Sequence, residues 1–312
     1  MRNIQAWAWF RSLGSPRFAL GPMVGQSELA FRLLCRRYGA TLGYTPMFIA
    51  DSFVNDPSYR ARVWRTCKQD RPLVVQFCGR DPETLVAAGK LRNDKNRTMM
   101  SLTLLPLLGS CDAVDLNLGC PQSVAKRGGY GAFLMDDWPL LSTIVGRISE
   151  ALSIPVLCKV RVFADVEKTV AYCKMLEEAG ASLLAVHPRQ RHQREEVLAE
   201  WAQVARVKEA VKIPLFCNGD VYHTEDALLC LKESKADGIM SAQGLLHNPS
   251  LFHTLAMTTA EKASSSSVGG EAATARSPSS SSPSSRHLFF ILFDQFHANL
   301  DIFDALAQAR CS

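Results

Sequence analysis

Apolar runs of about four to eight residues recur between residues 17 and 241, each cut off by Gly, Pro or Asn, with longer helical-period segments between them. The runs Arg17–Val24, Leu42–Met47, Pro72–Cys78, Ala113–Leu118, Pro155–Arg161, Leu183–His187, Ile213–Asn218 and Asp237–Ser241 predict strands. Ser27 opens a helix with apolar Leu29, Phe31, Leu33 and Leu34, which Gly39 stops. A tyrosine-bearing excursion through Tyr59 leads to a basic helix with Arg60, Arg62, Arg65 and Lys68, and another helix begins near Glu83. Further helices are predicted over Trp138–Ala151, Val166–Ala179, Trp201–Val211 and Thr224–Lys232. Eight strands alternating with helices over about 235 residues predict an α/β chain folded as a (β/α)8 TIM barrel. The competing doubly wound sheet wants a GxGxxG turn after its first strand, and none is present.

The pattern divides the chain into a leader (1–17), the barrel (18–252), a linker rich in Ser, Pro and Gly (253–285) and a last segment (286–312). The linker has too few large apolar residues to pack and is expected to be disordered. Leu288, Phe289, Ile291, Leu292, Phe293, Phe296, Leu300, Phe303 and Leu306 predict a terminal amphipathic helix that should dock on something. The first 27 residues hold Arg2, Arg11 and Arg17 but no acid, as an organelle presequence would. A strand beginning by Phe18 argues against that reading.

Composition narrows the class only a little. A 47% hydrophobic share over 312 residues suffices for one large core. A net charge of +5 permits a polyanionic partner without requiring one. No apolar run approaches the roughly eighteen residues of a membrane span. The ten cysteines form no CxxC pair and no zinc-like spacing, so no metal site is expected. Reduced thiols and a cytoplasmic location follow, with nucleus or mitochondrion as alternatives.

The chemistry-bearing residues sit where the strands end. They are Met23, Gln76, Asn117 with Cys120, Lys159 with Arg161, His187, Asn218, and Gln243-Gly244 after the last strand. Polar groups are costly inside a core unless they bind something, and barrel enzymes place their chemistry at this rim. A lone cysteine or histidine there would more often be structural, whereas six strands ending in amides, cations and a thiol point to a site. The set suits a flavin. Gln76 and Asn117 can meet a heterocycle's edge, and Lys159 can place positive charge beside its pyrimidine end. Asn218-Gly219-Asp220 and Ala242-Gln243-Gly244 follow the seventh and eighth strands, where barrels of this kind hold a phosphate. The run Arg127-Gly-Gly-Tyr-Gly-Ala132 reads as a loop able to close over a bound planar group.

These residues resemble the tRNA-dihydrouridine synthases, specifically the eukaryotic branch that acts on D-loop uridines sixteen and seventeen. The matching segments run from Gly21-Pro-Met-Val through Val75-Gln-Phe-Cys-Gly, Asp115-Leu-Asn-Leu-Gly-Cys-Pro-Gln and Ala125-Lys-Arg-Gly-Gly-Tyr-Gly-Ala to Cys158-Lys-Val-Arg, Val186-His, Asn218-Gly and Leu246-His-Asn-Pro. The resemblance implies FMN as cofactor, with Pro22, Met23, Gln76, Lys159, His187, Asn218, Gly219, Asp220, Gln243 and Gly244 as its contacts. It implies NADPH (or NADH) as reductant and Cys120 as proton donor to uracil C5. Asn117 and Arg161 then meet the uracil ring. Lys126 and Arg127 join Arg32, Arg36, Arg37, Arg60, Arg62, Arg65, Arg189, Arg191 and Arg194 as candidates for a tRNA-binding surface on a monomer. A thiol of ordinary pKa about 8.5 stays mostly protonated at neutral pH and suits the general-acid role.

The sequence departs from that family in four places. Gly89–Ser110 is a longer, Gly- and Pro-broken stretch, Pro188 replaces a small residue, and Gln243 stands where the branch has an acid. The helical tRNA clamp is represented only by 286–312. Two alternatives stay open on the sequence: a dihydroorotate-dehydrogenase-like FMN enzyme, and a catalytically impaired RNA-binding paralogue.

Overall fold

The computed structural model describes residues 2–93 and 111–256. The linker beyond residue 256, the terminal segment and most of the 89–110 stretch lie outside the described residues. Nine parallel strands form one sheet: β1 (Phe18–Leu20), β2 (Leu42–Tyr44), β3 (Phe48–Ile49), β4 (Leu73–Cys78), β5 (Ala113–Leu118), β6 (Val156–Val162), β7 (Ala181–Gln190), β8 (Leu215–Asn218) and β9 (Gly238–Ser241). Their order is β2-β1-β9-β8-β7-β6-β5-β4, and β2 also pairs with β4, so eight strands close into the predicted barrel. Pro46 interrupts what sequence patterning joined as Leu42–Met47. The chain resumes as the two-residue β3, laid against Phe77 and Cys78 at the carboxyl end of β4.

The helices are α1 (Arg2–Ser12), α2 (Leu29–Arg37), α3 (Ala50–Asn55), α4 (Pro57–Val63), α5 (Pro82–Asn93), α6 (Ser123–Gly128), α7 (Trp138–Ala151), α8 (Val166–Ala179), α9 (Trp201–Ala210), α10 (Thr224–Ser234) and α11 (Gln243–His247). The tyrosine-bearing excursion is helical: Asp56 caps α4 by accepting from the Ser58 and Tyr59 amides. That helix ends at Val63, so Arg65 and Lys68 lie beyond it. No helix of the described residues is long and apolar enough to cross a membrane.

Burial on both faces explains the continuous apolar strands. Every residue of β4 and β5 is buried, as a parallel sheet wrapped by helices requires. One core lies between sheet and helices. The other fills the barrel interior with Ala19, Leu42, Tyr44, Val74, Ala113, Leu157, Leu183, Ala185, Phe216 and Met240. The first helix, to which patterning assigned no element, closes the barrel floor. Phe10 packs edge-on to Phe216 at 6.1 Å, Trp7 Nε1 donates to Lys212 O at 2.7 Å, and Trp9 Nε1 donates to Asp112 O at 3.1 Å. Asp112 and Lys212 precede β5 and β8, so those carbonyls mark the amino-terminal mouth.

Two arginines expected on an RNA-binding surface are inside the fold. Arg32 is 2% exposed and forks onto Asp70 through Nε and Nη2 at 2.9 and 2.6 Å, while Nη1 donates to Ser27 O at 2.6 Å. Arg36 Nε reaches the same carboxylate at 3.4 Å. Asp70, fully buried, also accepts from Thr66 Oγ1 at 3.1 Å. A buried carboxylate needs such partners, so these arginines staple α2 to the segment before β4. Among the described residues eight cysteines are free thiols.

Candidate active site

Strand alternation builds the site directly from the barrel core. Interior positions Val74, Ala113, Leu157, Ala185 and Phe216 are each followed, two residues on, by Gln76, Asp115, Lys159, His187 and Asn218. A further step along the same face gives Asn117, Arg161 and Arg189. Registers Gln76↔Asp115, Asn117↔Lys159 and Arg161↔His187 level these side chains across neighbouring strands. The interior is thus apolar at the floor and polar at the carboxyl-terminal mouth.

At that mouth a cavity of about 300 Å³ is lined by Pro22, Met23, Met47, Gln76, Asn117, Cys120, Lys159, Arg161 and His187, among others. A second cavity, of about 170 Å³, shares Pro22, Lys159 and His187 with the first and extends past Asn218, Gly219, Asp220, Tyr222, Gln243 and Gly244. The structure therefore brings the sulfur-bearing turn, the lysine and the histidine to one opening. Lys126 and Arg127 sit on exposed faces of α6 and line neither cavity.

A line of amides runs along the cavity floor. Gln76 Nε2 donates to Asp115 Oδ2 at 2.8 Å, and Asn117 Nδ2 donates to Gln76 Oε1 at 2.8 Å. Asn117 Oδ1 accepts the backbone N–H groups of Gly119 at 3.2 Å and Cys120 at 2.9 Å. The turn holding the thiol is thereby tied to the strand that precedes it. On its other side the Cys120 carbonyl accepts the Ala132 amide at 3.0 Å. Cys120 itself is half-buried.

Electrostatically the mouth is cationic. Burial lowers the Lys159 pKa to about 8, Arg161 opposes its charge as well, and Asp115 partly restores it. Burial raises the Asp115 pKa to about 7 against the Gln76 hydrogen bond and the Lys159 charge. Burial, then Lys159, Arg161 and Arg189, hold His187 well below its ordinary value, so its imidazole is neutral. Arg189 Nη1 lies 3.1 Å from His187 Nε2. Since a guanidinium only donates, Nε2 accepts and the ring proton sits on Nδ1. Arg161 donates to the carbonyls of Gly119 (3.0 Å), Gln190 (2.8 Å) and Gln193 (2.9 Å), which joins the cysteine turn to the loop after β7.

Arg189 is a site residue that sequence reading placed on the surface. It is 4% exposed and also pairs with Asp220, whose Oδ2 accepts the Ala199 amide at 2.6 Å. Both Asp220 oxygens are thus engaged within the fold. Gln243 Nε2 donates to Glu195 at 3.1 Å, and Gln243 Oε1 accepts from Tyr222 at 3.1 Å. Two glycines shape this end. A Cβ on Gly244 would meet Val221 O at 2.0 Å, and a Cβ on Gly219, whose φ is +114°, would stand 2.9 Å from the His187 ring. Asn218 Nδ2 donates to Met240 O at 2.8 Å, which fixes the seventh barrel strand to the eighth.

The glycine-rich run is more ordered than a closing loop. Residues Ser123–Gly128 form α6, Gly129 ends it in the left-handed region at φ +62°, and Gly131–Leu134 is a short 3-10 helix. Gly131, also left-handed at φ +66°, lets the Cys120 carbonyl approach where a Cβ would stand 2.6 Å away. Among the described residues no cluster of His, Cys, Asp or Glu could hold a metal ion.

Comparison with known proteins agrees with this geometry. The dihydrouridine synthase (Dus) family matches residues 19–279. A Mus musculus protein named tRNA-dihydrouridine(16/17) synthase (NAD(P)(+))-like is 48% identical over 248 residues, covering 78% of this chain and 49% of that protein. The Saccharomyces cerevisiae tRNA-dihydrouridine(16/17) synthase (NAD(P)(+)) is 43% identical over 260 residues, covering 81% of this chain and 58% of that one. The chain spans about half the length of the curated relatives it matches. Among solved structures, a 2-naphthoyl-CoA reductase shares the fold at a TM-score of 0.54 and 10% identity, covering 79% of this chain and 50% of the other. With a family match over most of its length, the chain belongs to the dihydrouridine synthase (Dus) family.

Proposed function

We propose that this chain reduces uridine to 5,6-dihydrouridine in the D-loop of tRNA, with FMN as resident cofactor and NADPH (or NADH) as reductant. The observation that carries the reading is the pair of joined cavities, one lined by Cys120, Asn117, Gln76 and Arg161, the other by Asn218, Gly219, Gln243 and Gly244, with Lys159 and His187 common to both.

Three features of the chain favour FMN there. Lys159 is half-buried, and its Nζ has no hydrogen-bond partner among the described residues, so it offers a cation to an electron-rich ring edge. Gly219 and Gly244 clear the second cavity of side-chain atoms, which suits a chain ending in phosphate. Neutral His187 keeps an N–H on Nδ1 as a donor. Pro22 and Met23 supply apolar contact on the remaining side.

When bound and reduced, FMN supplies the hydride that adds to uracil C6. The chain's own part is the rest. Cys120 gives its proton to C5 from the opposite side of the base, then regains one from solvent. Asn117 and Arg161 orient the uracil edge while the Arg161 contacts keep the cysteine turn fixed to the loop after β7. The target base has to leave the folded D-loop to reach this mouth. Exposed Arg37, Arg62, Lys126, Arg127 and Arg194 are available to phosphates around it, whereas Arg32, Arg36 and Arg189 are committed inside. On this reading the barrel performs the chemistry as a monomer.

The test is dihydrouridine mapping in tRNA incubated with NADPH and either the wild-type chain or Cys120→Ala. Dihydrouridine in the D-loop with the first and none with the second is expected. Bound FMN without any product from the wild-type chain would instead favour an impaired RNA-binding paralogue.

A further inference from the structure

Asp115 stands out because the proposed chemistry does not use it. It is fully buried, its Oδ2 takes one hydrogen bond from Gln76, and its Oδ1 has no partner. A carboxylate is an expensive group to leave inside a barrel, and here the arrangement around it explains what it does.

Hydrogen-bond polarity along the floor can run only one way. The backbone N–H groups of Gly119 and Cys120 require an acceptor, so Asn117 must turn Oδ1 toward them. That leaves Asn117 Nδ2 facing Gln76, which must answer with Oε1. Gln76 Nε2 is then forced to the far side, into the barrel interior, where it needs an acceptor of its own. A carboxyl oxygen without a proton accepts and never donates, and Asp115 Oδ2 takes that place by accepting from Gln76 Nε2, so it fits this end of the line in one sense only. Were Gln76 reversed, Oε1 would face the carboxylate and Nε2 would face Asn117 Nδ2. Each carboxamide NH2 spends one N–H on the line and keeps one, and both residues line the cavity.

We propose that Asp115 is a positioning residue, which from the barrel interior fixes the orientation of the Gln76 and Asn117 carboxamides and, through them, the turn that carries Cys120. The inference rests on the reading of Cys120 as the proton donor. It gives a physical reason for an acid two residues before the asparagine on the same strand face. Asp115 touches neither cavity.

The experiment compares Asp115→Asn with Asp115→Leu in the full chain. The asparagine can still present an oxygen to Gln76 and keeps the line intact, whereas leucine leaves Gln76 Nε2 without an acceptor. Two readouts are taken: the rate at which iodoacetamide alkylates Cys120, resolved by peptide mass, and FMN affinity by fluorescence. Asp115→Asn is expected to hold both within about threefold of wild type, and Asp115→Leu to shift both by roughly tenfold, the scale of one unmet buried donor. A structural role alone would appear in thermal unfolding without separating the two variants in these readouts. If Asp115→Leu does not fold, Gln76→Leu cuts the line in its middle, and its Cys120 alkylation rate must shift likewise. Unchanged alkylation in the folded leucine variant, or equal damage from asparagine and leucine, overturns the proposal. A wild-type chain that takes up no FMN refutes the cofactor reading while the alkylation arm still reports on Asp115, so the two failures are distinguishable.

Discussion

Lys159→Met is the substitution that weighs function against stability most sharply. Burial, the largest cause, drops the Lys159 pKa from 10.5 to about 8. A displacement of that size makes the ammonium about 3 kcal/mol less favourable in the folded chain than in water. Methionine fills similar space without a charge. Some of the gain is lost, because removing the ammonium takes away an attraction that lowers the pKa of Asp115. The expected net is a chain about 1–3 kcal/mol more stable at pH 7, with FMN affinity reduced roughly tenfold or more. The pH dependence carries a definite sign. Folded Lys159 releases its proton near pH 8 and unfolded lysine only near 10.5, so the unfolded chain holds more protons in that window. Wild-type stability therefore rises with pH through it, and the advantage of Lys159→Met is largest below pH 8 and closes toward pH 10.5. Urea unfolding of FMN-free protein at several pH values, with FMN titration alongside, measures both. A variant less stable than wild type by more than about 1 kcal/mol at pH 7 would refute the reasoning, since it would mean the ammonium is well satisfied where it lies.

Asp70→Asn removes the charge that two arginines share, leaving Arg32 buried against a neutral amide. A loss of about 3–5 kcal/mol in urea unfolding is expected, with little effect on Cys120 reactivity if folding is retained. Gly131→Ala forces a Cβ to within 2.6 Å of the Cys120 carbonyl from a left-handed backbone. It should cost about 1–3 kcal/mol and lower turnover more than FMN binding, as unfolding and titration would show. Cys120→Ala should leave FMN affinity and thermal stability near wild type while dihydrouridine formation disappears, because the thiol is half-buried and holds no structural hydrogen bond through its sulfur among the described residues.

The barrel and its rim were readable because period-two alternation and abrupt strand ends leave marks in a single sequence. Gln76, Lys159, His187 and Asn218 follow apolar interior positions at a spacing of two and Asn117 at a spacing of four, and the structure seats them together. The same rule reaches Asp115 and Arg189, yet a buried acid and a basic strand-end residue look like solvated groups until their partners are seen. Those partners, Gln76 and Asp220, are 39 and 31 residues away. Arg32 misled for a related reason: it sits on a basic helix that ends in exposed Arg37, and its partner Asp70 comes 38 residues later. The glycine-rich run suggested mobility, but two of its glycines serve as left-handed cap and close-approach points in ordered turns. Trp7, Trp9 and Phe10 carried no strand or strong helical signal and acquired meaning only from the open barrel floor they cover.

The most direct measurement is the visible absorption spectrum of the purified full chain mixed with FMN and freed of excess cofactor. One bound FMN per chain, with its band shifted from that of free FMN and lost to a large extent in Lys159→Met, is the predicted result. A colourless protein that retains no FMN would contradict the account at its centre, because the joined cavities would then have some other purpose.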